Sequence, residues 1–316
     1  MYIITGGTGF LGGHIVRQLK KLDAEIFIVR RAYYDLRVEE DARRLFERFK
    51  NKKEVCVINL AASVGGIGFN KNHPYRLYYD NLMINTNVIE QARRVMVDKL
   101  VQVGTTCSYP KFCSPPFQEV SIWDGYPEQT NAPYGIAKRA ALAQIQAAWK
   151  EYEFLGIYLI PTNLYGPYDT FLESKSHVIP AMIKKFFDAK DGITDKVTLW
   201  GTGKATRDFL YVEDAAKGII LAARDYSNPM EPLNLGSNQQ TTIEVLAHHL
   251  SKIIDYNGKI EWNSTMPDGQ PKRLLDNSRI RYELGWYPTT TLLDGLKKTV
   301  DWYGELRGEK NNNVPI

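Results

Sequence analysis

Tyr2-Ile3-Ile4-Thr5-Gly6-Gly7-Thr8-Gly9-Phe10-Leu11-Gly12 is the stretch whose reading decides the fold. Four strand-forming residues run straight into a glycine-rich turn, and the turn opens a helix. Gly6, Gly9 and Gly12 have the spacing for a tight turn, a close approach to a pyrophosphate, and close packing of helix on strand. The N-terminus of that helix then faces an anion with its free N–H groups. A glycine triplet in isolation says little. One that follows a strand at residue 5 and begins a strand–helix–strand unit points to a dinucleotide site.

The pattern continues outward from that turn. Tyr2–Thr5 reads as the first strand and 14–21 as a helix; 25–30, 56–60 and 100–103 read as strands. Residues 42–50 and 82–97 read as helices, a further helix carries Tyr134 to about Trp149, and Gly156–Pro161 is the next strand. Short apolar strands alternating with helices predict a Rossmann-type, doubly wound parallel sheet covered on both faces. After Pro161, loops rich in Pro, Asn and Gly separate shorter helices at 179–189 and 243–254. A strand at 209–211 leads into a helix, and 233–235 reads as a late strand. The expectation is an α/β chain with a dinucleotide-binding domain at 1–162, with returns near 208–237. A smaller C-terminal α/β substrate domain takes 163–207 and 238–308, and 309–316 forms a frayed polar tail.

Composition narrows the classes. A chain of 316 residues with 44% hydrophobic and 24% charged residues has the makeup of a globular α/β protein. A net charge of +4, with no basic run interleaved with aromatics, gives no nucleic-acid surface but suits an anionic ligand. No leader-like or membrane-spanning run is visible, so a cytoplasmic protein with no membrane partner is expected. Three cysteines, Cys56, Cys107 and Cys113, fit reduced thiols better than a disulfide framework, and their spacing offers no metal site.

Tyr134 and Lys138 carry the chemistry. In Asn131-Ala132-Pro133-Tyr134-Gly135-Ile136-Ala137-Lys138 they lie four apart, on one face of a helix. A cation beside a phenol favours the phenolate, which suits proton exchange with an alcohol or ketone oxygen. The chain has 19 tyrosines, so this spacing needs support from elsewhere. At the end of the second strand, Arg30 and Arg31 stand where an acid would bind a ribose hydroxyl, and the first acid is Asp35. Guanidinium groups suit a 2′-phosphate, so NADP(H) is expected rather than NAD.

The strand-end sequence Gly104-Thr105-Thr106-Cys107-Ser108-Tyr109-Pro110 adds a hydroxyl upstream of the Tyr helix. With the glycine loop and the Tyr/Lys pair it resembles the extended short-chain dehydrogenase/reductase family, and Thr105 matches that family's Ser/Thr position. Longer stretches resemble the GDP-L-fucose synthases within it. They are Asn59-Leu60-Ala61-Ala62-Ser63-Val64-Gly65-Gly66-Ile67, Cys107–Lys111, Pro161-Thr162-Asn163-Leu164-Tyr165-Gly166-Pro167 and Ser176-His177-Val178-Ile179-Pro180. Trp200-Gly201-Thr202-Gly203, Arg207-Asp208-Phe209-Leu210 and Pro267–Asp276 complete the set. The matches run in order across nearly the whole chain.

That resemblance implies epimerisation at C3 and C5 of GDP-4-keto-6-deoxy-D-mannose, then reduction of its C4 ketone by NADPH. It makes Cys107 the base, His177 the acid of the opposite face, and Thr105 and Tyr134 the groups on the C4 oxygen, with Lys138 supporting Tyr134. Cofactor contacts would come from Gly6, Thr8, Gly9, Phe10, Leu11, Gly12, Arg30, Arg31, Asp35, Leu60, Ala61, Ala62, Tyr134, Lys138 and His177. Asn163, Trp200, Arg207 and Lys272 are the substrate-side candidates. The family is a homodimer through two long helices, for which 82–97 and 134–149 are the candidates. Three departures stand out: Thr105 replaces the usual serine, Thr8 lies near where the family's glycine loop often carries an arginine, and Arg31-Ala32-Tyr33-Tyr34 stands in place of a more polar run. They keep open a relative acting on another nucleotide-linked 4-keto sugar of the colitose or heptose type, and a sensor that binds the dinucleotide without catalysis.

Overall fold

The computed structural model describes residues 1–65, 67–172, 176–266 and 268–312. The first unit runs β1 (Tyr2–Thr5), α1 (Phe10–Lys21), β2 (Ile26–Ile28), α2 (Glu39–Glu47), β3 (Cys56–Asn59), α3 (Ile67–Asn72), α4 (Pro74–Arg94), β4 (Lys99–Val103), α5 (Ala132–Tyr152) and β5 (Gly156–Pro161). It continues with β6 (Asn163–Tyr165), α6 (Val178–Lys190), β7 (Val197–Trp200), β8 (Thr206–Tyr211), α7 (Val212–Asp225) and β9 (Leu233–Leu235). The chain ends in β10 (Gln240–Thr242), α8 (Ile243–Ile254), β11 (Ile260–Asn263), α9 (Ser278–Leu284) and α10 (Leu292–Asn312).

The main sheet has the order β2-β1-β3-β4-β5-β9, and every pair in it is parallel. Strand order reverses between β1 and β3, which is where such sheets open a crevice beyond their carboxyl ends. The strands are buried on both faces, so they read as apolar runs rather than alternating ones. One face packs Val57, Leu100 and Tyr158 against Leu45, Phe46, Val88 and Leu142. The other packs Ile4, Ile58, Val101 and Leu159 against Ile15, Leu19, Ala216 and Ile219.

A separate core belongs to the second unit. There Ile179, Ile183 and Phe186 meet Leu199, Phe209, Leu246, Leu250 and Leu296. Two small sheets, β10-β8-β6 and β11-β7, back this core. The return to the first unit expected near 208–237 is made by α7, which lies on α1, and by β9, which pairs with β5. β8 pairs with β6 and β10, and its Leu210 packs into the core under the main sheet. Asp208 stitches the two units together, because its carboxylate accepts from Ser237 N at 2.8 Å, Ser237 Oγ at 2.6 Å and Leu275 N at 3.3 Å.

Several elements differ from the sequence expectation at their ends. α1 begins in the glycine turn at Phe10 rather than at 14, since Gly9 is its extended N-cap. α4 starts at Pro74, well before 82, because proline at the first helical turn costs no hydrogen bond. α10 continues through Asn312, so the expected frayed tail begins inside a helix, and its residues 313–316 lie outside the described residues. Gly66 and Pro267 of the quoted motifs also lie outside them. Among the described residues no helix is long and apolar enough to cross a membrane, and all three cysteines are free thiols.

Candidate active site

The cofactor cradle is built from backbone. Gly6 has φ +65°, and a Cβ there would lie 2.9 Å from the Leu60 carbonyl carbon. A Cβ on Gly12 would lie 2.2 Å from Gly6 O, so helix α1 can approach the turn this closely only without side chains. Gly9 N donates to Gly6 O at 3.0 Å, and the start of α1 carries no side-chain cap. Its first N–H groups therefore remain for an anion. Thr5 Oγ1 ties the neighbouring strand end into place, accepting from Leu60 N and Ala61 N at 3.1 Å each and donating to Asn59 Oδ1 at 2.6 Å. A dinucleotide fits these residues: the uncapped start of α1 offers its N–H groups beyond the end of β1, where a pyrophosphate can accept from them.

At the end of β2, Arg30 is exposed and forms no ion pair with a described residue. Arg31 stands 3.9 Å from Asp35. Asp35 itself is taken by Arg37, whose guanidinium holds the carboxyl well down, at about 2; Arg37 also reaches Asp80 at 3.3 Å. Of the three expected residues here, Arg30 and Arg31 present charge outward and Asp35 is neutralised from within.

Thr105, Cys107, Tyr134 and Lys138 come together where β4 ends against the start of α5. Thr105 caps the short 3-10 turn Thr106–Ser108, its hydroxyl accepting from Cys107 N at 3.2 Å. The same hydroxyl is a hydrogen-bonding neighbour of the Tyr134 phenol. α5 can lie this close because Gly135 has no side chain, and a Cβ there would sit 2.2 Å from Cys107 O. Ser108 Oγ donates to Gly135 O at 3.0 Å, and the Arg139 guanidinium donates to Ser108 O and, at 2.9 Å, to Gly125 O.

The electrostatics correct one expectation. Lys138 donates its ammonium to Val103 O at 3.0 Å, and burial pulls it from 10.5 to about 8. The Tyr134 phenol is held above its ordinary value rather than below it. Burial is the main cause, neighbouring Cys107 and Tyr158 add to it, and the bond from Thr105 opposes it. Loss of solvent outweighs a cation committed to a carbonyl. The phenol is therefore a protonated donor at neutral pH.

The second unit supplies the facing wall. His177 is the N-cap residue of α6, with Ala181 N donating to its carbonyl at 3.0 Å. Its imidazole is exposed and forms no hydrogen bond to a described residue, yet crowding by protein atoms holds it below its ordinary value, so it is neutral at pH 7. The structure does not join it to Cys107 or Tyr134 by any bond. Asn163 spends its amide on Asp208 O at 2.9 Å. Trp200 is half exposed at the end of β7, with the Lys185 ammonium 5.8 Å over its ring. Lys272 points to solvent.

Arg207 donates to the carbonyls of Thr206, Gln270 and Asp268 at 2.8, 2.6 and 3.0 Å. Burial and the neighbouring Arg273 lower it to about 10, and Cys107 lies within its electrostatic reach. Sequence reasoning missed Arg273, choosing exposed Lys272 beside it. Arg273 is buried and donates to Gln270 Oε1 at 3.0 Å and Thr106 Oγ1 at 3.4 Å. Two neighbouring guanidinium groups bonded only to neutral oxygens make a strong anion site. No spacing in the sequence distinguishes Arg273 from Lys272; only burial does.

Fold and site define an extended short-chain dehydrogenase/reductase. The model of the NAD dependent epimerase/dehydratase family matches residues 2–236. GDP-L-fucose synthase 1 of Arabidopsis thaliana is 38% identical over 301 residues, covering 95% of this chain and 92% of that protein. A GDP-L-fucose synthetase from Naegleria fowleri bound to NADP superposes with a TM-score of 0.86 at 26% identity, covering 97% of this chain and 94% of that one. A GDP-6-OMe-4-keto-L-xylo-heptose reductase from C. jejuni gives 0.88 at 26%, with 96% and 97% covered. The chain belongs to the NAD dependent epimerase/dehydratase family and, within it, to the GDP-L-fucose synthase group.

Proposed function

We propose that this protein is an NADPH-dependent 3,5-epimerase and 4-reductase that converts GDP-4-keto-6-deoxy-D-mannose to GDP-L-fucose. The observation that carries the reading is the meeting of a Thr105 hydroxyl, a protonated Tyr134 phenol and the Cys107 thiol at one strand end, with Cys107 within reach of Arg207. Thr105 and Tyr134 bond the C4 oxygen, which makes the protons on C3 and C5 acidic by stabilising the enolate. At each of the two carbons the Cys107 thiolate takes the proton and His177, in its protonated form, gives one to the opposite face, the pair returning to its starting state by proton exchange with solvent. Arg207 and Arg273 hold the diphosphate, and Trp200 packs against the nucleotide side. Bound NADPH supplies the hydride that reaches C4; Tyr134 then gives its proton to O4.

Arg30 and Arg31 support the phosphorylated cofactor, since no free acid stands there for a ribose hydroxyl. The reading carries with it a cytoplasmic location and a homodimer through α4 and α5, where Tyr75 and Tyr79 are exposed. Reduction of a GDP-linked 4-keto-heptose is the second reading, favoured by the close superposition on the heptose reductase.

Incubation with GDP-4-keto-6-deoxymannose and NADPH in deuterated water separates the two chemistries. Cofactor oxidation and label at C3 and C5 are expected. Cys107→Ser should lose most of the exchange, about a hundredfold or more for a misplaced proton acceptor, whereas Tyr134→Phe should lose reduction and retain exchange. Silence with both NADPH and NADH rejects the reading; wild-type exchange in Cys107→Ser removes Cys107 as the base.

A further inference from the structure

Among the described residues, three buried side-chain polar atoms meet no partner: Asn70 Oδ1, Asp169 Oδ2 and Ser176 Oγ. A buried polar atom without a partner costs on the order of 1–3 kcal/mol, so each needs a reason. Two of them stand between β6 and α6. Ser176 precedes His177, and Asp169 lies on the loop that leads towards it from β6. Asn70 lies on α3, and its amide nitrogen donates to Asn131 Oδ1 at 2.8 Å. Asn131 is the N-cap of α5 and accepts from Gly135 N at 2.9 Å through its carbonyl. Asn70 is therefore one side-chain bond from the first turn of the helix that carries Tyr134, and it is only 6% exposed.

We propose that Asn70 recognises a hydroxyl of the sugar, the one on the carbon next to the ketone. This rests on the placement of the C4 oxygen at Tyr134 and Thr105. Of the two carbons flanking C4, C3 bears a hydroxyl, while C5 bears the ring oxygen and the methyl group. An unpartnered amide oxygen on Asn70, one side-chain bond from the first turn of the Tyr134 helix, calls for a donor, and of the groups on these two carbons only the C3 hydroxyl can donate. The assignment does not depend on how the amide is turned. Whichever of its two atoms faces Asn131, the other is left over, and a hydroxyl can donate to or accept from it. Asn70 is then the residue that separates this substrate from the same nucleotide sugar lacking its C3 oxygen, because a site built to bond a hydroxyl is left with an unpaired buried group when the hydroxyl is missing.

The test pairs the two sugars, GDP-4-keto-6-deoxymannose and its 3-deoxy analogue, with wild type and Asn70→Ala. Wild type should favour the hydroxylated sugar in kcat/KM by about tenfold or more, one unmade hydrogen bond in a buried site. Asn70→Ala should lose that factor on the hydroxylated sugar and change little on the 3-deoxy one, with inhibition by GDP unchanged. A fall that is equal on both sugars, or that GDP inhibition shares, would make Asn70 a structural tie to Asn131 and overturn the proposal. Equal kcat/KM of wild type on the two sugars overturns it without any variant. Turnover of neither sugar rejects the proposed function itself, and the inference falls with it.

Discussion

Lys138 shows how a single side chain sets opposite pH demands on activity and stability. Its ammonium is buried with no carboxylate, and its value falls from 10.5 to about 8. Between those values the unfolded chain holds a proton that the folded chain has released, so stability climbs as pH rises from about 8 towards 10.5. On the role proposed for Lys138, reduction uses the charged form, so a plot of kcat against pH should fall through about 8. Lys138→Met should raise the melting temperature at pH 7, removing an unpaired buried charge worth on the order of 3 kcal/mol, while abolishing reduction. A lower melting temperature would show that the bond to Val103 O outweighs desolvation. The pair Tyr134 and Lys138 was legible in the sequence as a spacing. Its electrostatics were not, since spacing cannot tell that the ammonium turns towards a carbonyl and that the phenol loses its solvent.

Elements carry the next layer, and here the contact of α5 with the turn after β4 is decisive. The backbone of Gly135 lies against Cys107 O so closely that a methyl group would stand 2.2 Å from that oxygen. Gly135→Ala should push helix and turn apart, at about 1–3 kcal/mol of stability. Because Tyr134 and Thr105 sit on opposite sides of this contact, reduction should suffer more than cofactor binding; equal losses in kcat and in NADPH affinity would speak against it. Secondary structure was readable at this scale wherever periodicity was strong, as for β5, α8 and β9. It was misjudged at ends set by turn chemistry: α4 begins at Pro74, and α1 begins inside the glycine turn. Arg273 and Asn70 could not be picked out, because their distinction is burial across long sequence separations.

At the scale of the whole molecule, the cores flanking the main sheet and the core of the second unit are joined by apolar packing of Leu164 and Leu210 and by polar bonds. Asp208 is the chief of these, gathering Ser237 and Leu275 while its carbonyl holds Thr162 and Asn163. Asp208→Ala leaves several buried donors unmet and should cost about 2–4 kcal/mol, read as a lower melting temperature with activity falling in parallel. The sequence did not show that β8 pairs with β6 and β10 in a small sheet while its Leu210 packs under the main one. Thr105, Cys107, Tyr134 and Lys138 all stand on the first unit, whereas His177, Trp200 and Arg207 stand on the second. On the proposed roles, reductive chemistry and choice of sugar nucleotide sit on separate stretches of chain. Such a division lets descent tinker with one without rebuilding the other, and a hybrid that grafts a cousin's second unit onto this first one should inherit the cousin's diet while keeping its own way of delivering a proton.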